Sequence, residues 1–175
     1  MNDISIYLSP VEKKTTNFDV GQIGESIIEY NDNFPILESK SVALIFIPEY
    51  RGNTEKNHGS IKDYFSDSFY RLYRGDGWGF KIYNIGFIKP GKKLNDSYFA
   101  IAKVSSELIK NNILPIVIGG SQDLTLAMYD AYQTLEQTIN TCSIDYSLDI
   151  GDIEEEPKSN GYLTHLLIKR PCYLF

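Results

Sequence analysis

The chain has 175 residues, enough for one domain with a sizeable core. Apolar residues make up 42% and charged residues 23%, ordinary values for a globular protein. The formal net charge of -6 argues against a nucleic-acid surface, which needs a basic patch, and no apolar stretch approaches the roughly 20 residues of a membrane span.

The N-terminal "ISIYLSPV" reads as a short extended piece closed by Pro10. A short helix is expected after Gly21, because Ile23, Ile27 and Tyr30 share a helical face. "SVALIFIPEYRG", from Ser41, is the first strong strand, and its continuous apolar run suits burial on both faces, as in a parallel sheet. Pro48 ends it, and the polar, glycine-bearing "EYRGNTEKNHG" is a loop. Ile61, Tyr64, Phe65, Phe69 and Leu72 then fall at helical spacing. Ser60 is the expected N-cap of that helix, with Asp63 three residues on.

"RGDGWG" breaks the helix and forms a turn, with Trp78 expected to pack on the sheet. "FKIYNIGFI" is a second strand of weaker apolar character, expected nearer an edge. From Asp96 runs an amphipathic helix whose buried side is marked by Phe99, Ala102, Val104, Leu108 and Ile109. "ILPIVIGG" is the third strand and "DLTLAMYDAYQTLEQ" the next helix. "NTCSIDYSLDIGD" holds a fourth strand ending near Asp145, followed by the acidic loop "DIEEEPKSN". "GYLTHLLIKR" is a short helix ended by Pro171, and "CYLF" starts a fifth strand. Alternating strands and helices are the rhythm of a parallel α/β layer fold.

Cys142 and Cys172 form no CxxC and no Cys/His cluster, so no structural zinc site is expected. The N-terminus lacks a basic region followed by a long apolar run, which fits a reduced, cytoplasmic setting without a secretory signal. Thirteen Tyr and nine Phe leave room for an interface, so a homo-oligomer or another protein partner is possible. There is no GxGxxG after the first strand, no GxxxxGK[ST] and no GxSxG.

Two places can carry chemistry. Gly119, Gly120, Ser121, Gln122 and Asp123 follow the third strand, and open α/β sheets bind ligands outside that edge. The competing reading is a plain strand-to-helix turn in which Ser121 or Asp123 caps the helix. Asp145, Asp149 and Asp152 surround the end of the fourth strand, where carboxylates can hold Mg²⁺ or Mn²⁺, or line a solvated acidic loop. Parallel strands would bring Gln122 and Asp145 to one pocket. His58 sits in a polar loop that can reach the same edge, while His165, inside a short helix, is a packing or surface residue.

In "GGSQD", "DYSLD", "VALIFIPEYRGN", "YRLYRGD", "NIGFIKPG" and "DSYFAIAKVSSELIKNNILPIVIGG", taken in this order, the chain resembles the ureohydrolase family of arginases, agmatinases and formimidoylglutamases, and most closely the formimidoylglutamase-like members. The resemblance implies an arginase-like three-layer α/β/α sandwich with a mostly parallel sheet. This chain would supply, over residues 1–175, the N-terminal part of a single domain that is truncated relative to the family. It also implies a two-manganese site at the C-terminal sheet edge, where a bridging hydroxide attacks a guanidinium or formimino carbon. Family members carry GGDHS after the third strand and DAHxD after the fourth. Here Gln122 stands in the first histidine position and Ser147 in the second, while Asp145 and Asp149 keep the aspartate positions and Tyr146 replaces a small residue.

An amide oxygen and a hydroxyl are poorer Mn²⁺ donors than two imidazoles. The expectation is a catalytically degenerate relative with no catalytic residue and no cofactor, acting in binding or assembly. Its pocket would be lined by Gly119, Gly120, Ser121, Asp123 and Tyr146. The alternative is a Mn²⁺-dependent hydrolase of linear amidines, with Asp145 and Asp149 as metal ligands.

Overall fold

The computed structural model describes residues 3–13, 16–53, 61–75, 77, 79–136, 139–169 and 172–174. His58, Trp78, Pro171 and the expected cap at Ser60 lie outside them. A 3-10 turn, Ser5–Tyr7, leads into β1 (Leu8–Ser9). The helix expected after Gly21 is a single turn, α1 (Ile23–Ser26). Ile27 is already extended and leads into β2 (Ile28–Glu29), so the shared face of Ile23, Ile27 and Tyr30 is not a helical one.

β3 (Ser41–Phe46) is buried along nearly its whole length, as its apolar run requires. α2 (Ile61–Tyr70) stops before Leu72, which is exposed. β4 (Ile82–Ile88) is followed by α3 (Leu94–Lys110), β5 (Ile113–Ile118), a 3-10 turn (Gln122–Leu124) and α4 (Thr125–Gln133). β6 (Ile139–Thr141), α5 (Tyr162–Lys169) and β7 (Cys172–Leu174) complete the described elements.

The main sheet has the order β1-β4-β3-β5, with β2 also paired to β4. β1 runs antiparallel and the other pairings are parallel. Successive β3 side chains point to opposite faces. Ala43, Ile45 and Ile47 join Ile101, Val104 and Leu108 of α3 and Ala127 of α4 in one core. Leu44 and Phe46 pack instead with Ile23 of α1 and with Phe65 and Phe69 of α2. Helices therefore cover both faces, and the three-layer α/β/α sandwich follows.

Three expectations change. β4 is central, paired on both sides, not near an edge. Its polar Asn84 is fully buried because its side-chain amide donates to Tyr70 Oη at 2.6 Å and its carbonyl oxygen accepts from the Gly86 N–H at 3.1 Å. Tyr70 in turn donates to Glu29 Oε1 at 2.8 Å, so a buried polar residue is satisfied rather than costly.

The fourth strand stops at Thr141, short of Asp145. It pairs with β7 in a separate two-stranded parallel sheet, where Ile139 lies opposite Cys172. α4 holds this sheet to the rest: Leu126 and Tyr129 pack with Leu163 and Leu166 of α5 and with Ile139. On α3 the buried side is set by Ala100, Ile101, Val104 and Leu108. Phe99 is 61% exposed and meets only the edge of Tyr7 among the described rings.

Candidate functional site

The C-terminal ends of β3, β4 and β5 lie along one sheet edge. β3 continues its pairing through the Ile47 N–H, which donates to Ile118 O at 3.0 Å, before Pro48 ends the run. Glu49 then turns inward and is nearly fully buried. Its carboxylate accepts from Arg51 Nε at 2.8 Å, from Arg51 Nη2 and from Ser97 Oγ at 2.7 Å. Arg51 also donates to Lys92 O at 2.9 Å and Gly91 O at 3.0 Å, which ties the loop after β3 to the loop before α3. Burial would raise the Glu49 pKa, but the hydrogen bonds from Arg51 and Ser97 outweigh it and hold the group at about 2.

At the end of β5, Gly119 and Gly120 have φ of 83° and 81°. A Cβ on Gly120 would stand 3.1 Å from the carbonyl oxygens of Ile47 and Glu49, so the turn needs glycine for space as well as for conformation. The Ser121 N–H donates to Glu49 O at 2.9 Å, locking the two loops together. Neither Ser121 nor Asp123 caps a helix through its side chain. Asp123 is fully buried and accepts from the Tyr98 hydroxyl. Its other oxygen lies 3.4 Å from Ser159 Oγ and packs against Gly52.

Gln122 points the other way and is exposed. Its side-chain amide donates to Asp145 Oδ2 at 2.6 Å, and Asp145 Oδ1 accepts from the Tyr146 N–H at 2.7 Å. The structure thus brings Gln122 and Asp145 together. Tyr146 is fully exposed and Ser147 is also exposed, so both side chains face outward. Asp149 is 8% exposed, and its backbone carbonyl accepts from the Leu163 N–H at the start of α5. Burial, then the nearby charge of Asp145, pushes the Asp149 pKa upward. The Tyr162 hydroxyl is pushed up first by burial, and then by the charges of Asp149 and Asp145. These residues therefore form one acidic corner beside Tyr162.

Two manganese ions need several anionic or imidazole donors converging within bonding reach. Among the described residues no group of three His, Cys, Asp or Glu side chains is arranged to hold a metal. His165 is buried within α5. Turning the Gln122 amide over would set its oxygen against the Asp145 carboxylate, so the N–H faces Asp145 and this hydrogen bond occupies Asp145 Oδ2. Among the described residues the donor set does not fit the metal pair.

Sequence reasoning missed Glu49, Arg51, Asn53, Ser97, Tyr98, Ser159 and Tyr162 at this edge. The "EYRGN" stretch carried the available signal: charged residues directly after a buried strand, on the edge where such sheets bind ligands.

No protein-family model matches the sequence, and no curated protein matches it. Solved structures do. Formimidoylglutamase from Bacillus subtilis superposes with a TM-score of 0.75 at 15% identity, over 97% of this chain and 55% of that one. The fold is arginase-like. A hypothetical agmatinase from Burkholderia thailandensis gives 0.66 at 14% identity over 97% of this chain and 56% of that one. Formiminoglutamase from Trypanosoma cruzi with Mn²⁺ gives 0.60 at 18% identity over 74% of this chain and 48% of that one. The chain thus spans about half the length of the arginase-like structures it matches. No helix among the described residues is long and apolar enough to cross a membrane.

Proposed function

We propose that this chain is a catalytically degenerate arginase-like protein, acting through binding or assembly and not through metal-dependent hydrolysis. The Gln122–Asp145 hydrogen bond carries this reading. Two side chains that would face a metal in a ureohydrolase satisfy each other instead. The reading treats residues 1–175 as the N-terminal part of one arginase-like domain; nearly all of this chain superposes on about half of each of two compared structures.

The second reading is a Mn²⁺-dependent hydrolase of linear amidines with Asp145 and Asp149 as ligands. One observation favours it: the two carboxylates are near enough for Asp145 to raise the Asp149 pKa, as paired ligands of one cation would be.

Elemental analysis and Mn²⁺ calorimetry separate the two. The first reading expects no binding at millimolar Mn²⁺. Tight uptake of about two ions per chain, lost in Asp145→Ala, would overturn it and justify a screen of amidine substrates.

A further inference from the structure

The segment from Asp152 to Ser159 crosses the same sheet edge. Asp152, Glu154, Glu155 and Glu156 crowd like charges into its first five residues. The described contacts within it are exposed: the Glu154 N–H donates to Asp152 Oδ1 at 2.9 Å, and Lys158 Nζ pairs with Glu155 at 2.8 Å. Such contacts hold little, and mutual repulsion of the carboxylates favours an extended segment.

Ser159 anchors it. The Ser159 N–H donates to Gly52 O at 3.0 Å. Its hydroxyl donates to Asn53 Oδ1 and accepts from the Gln122 N–H at 3.1 Å. The same oxygen lies 3.4 Å from Asp123 Oδ1. One side chain therefore bridges the loops after β3 and β5. Just before it, Glu156 and Pro157 form one wall of a cleft of about 390 Å³. Lys93, Leu94, Asn95 and Tyr98, at the start of α3, form the other. Tyr98 donates to Asp123, the carboxylate that Ser159 approaches.

We propose that residues 152–159 are a strap latched by Ser159, and that releasing the latch opens the cleft beside α3 and uncovers Asp123. The latch stands on these contacts and does not depend on whether the edge binds a metal. Its strength is local, because the hydroxyl is shared by groups from separate loops, while the acidic residues ahead of it pull toward solvent.

Digestion by a glutamate-specific protease, with hydrogen exchange followed on the whole chain, tests this. The wild-type strap should be cut slowly after Glu154 and Glu155. Ser159→Ala should be cut at least tenfold faster, and its Gln122 amide should exchange faster, with β3 protection unchanged. Ser159→Thr, which keeps the hydroxyl, should return toward wild type. Rapid cutting of the wild type, an unchanged rate in Ser159→Ala, or loosening of β3 in step with the strap would each overturn the proposal.

Discussion

The side-chain amide of Gln122 and the carboxylate of Asp145 meet at 2.6 Å, although 23 positions separate them in the chain. The contact closes the loop after β5 on the loop after β6. It gives Asp145 a neutral donor at the exposed edge of the sheet.

Placing imidazole at positions 122 and 147 tests whether Gln122 and Ser147 limit metal affinity. Gln122→His with Ser147→His should bind Mn²⁺ at least tenfold more tightly than the wild type by calorimetry, since imidazole is the better donor. Equal affinity in the two proteins would show that these two side chains do not set it.

Asp149 carries a raised pKa, caused first by burial and then by Asp145. The folded state therefore binds its proton more firmly than the unfolded chain does, and stability falls as pH rises above the ordinary value of 3.8. Asp149→Asn should raise the melting temperature at pH 7. The gain should shrink at pH 3.5, where the wild-type group is mostly protonated in both states. Thermal melts at the two pH values check this, and an equal gain at both would contradict it.

Glu49 has the opposite sign. Its folded pKa of about 2 lies below the ordinary 4.5, so its contribution is complete above pH 4.5 and is lost as pH falls toward 2. Arg51 is 42% exposed, which screens the pair and limits its worth. Glu49→Gln should cost about 1.5–3 kcal/mol at pH 7, the range for hydrogen bonds to a charged group. It should also flatten the acid limb between pH 4.5 and 2. Urea titrations across that window give both numbers.

Gly52 leaves no room for a Cβ beside the Asp123 carboxylate. Gly52→Ala should destabilise the protein by about 1–3 kcal/mol through overpacking. In an Asp123→Ala background the same change should cost much less, because the obstructing atoms are gone. Additive costs in this double-mutant cycle would show that the two residues do not compete for the space.

The layered fold was legible because its signals are local. The apolar run of β3 and the glycine pair after β5 each specify their own segment. The centrality of β4 was hidden, because the partners that make Asn84 and Gly86 acceptable are distant in sequence. Asn84 needs Tyr70 from α2, and Gly86 admits the carbonyl of Ser9 from β1. The end of the fourth strand was misread for a related reason. Cys142 and Ile144 continue the apolar character past Thr141, yet both are exposed, and pairing depends on a neighbour that apolar character does not supply. At the site, the aspartates were visible as types, whereas the direction of Asp123 toward Tyr98 was set by packing between α3 and the turn after β5.

The small β6–β7 sheet has a consequence for the order of assembly. Parallel neighbours cannot be joined by a tight turn, so Ile139 finds Cys172 only after the intervening chain, including α5, has come back alongside α4. Two strands alone are marginal in water, and this pair leans on the Leu126, Tyr129, Leu163 and Leu166 cluster. It should therefore close late on refolding and open early on warming, with the Asn140 amide exchanging well before those of β3.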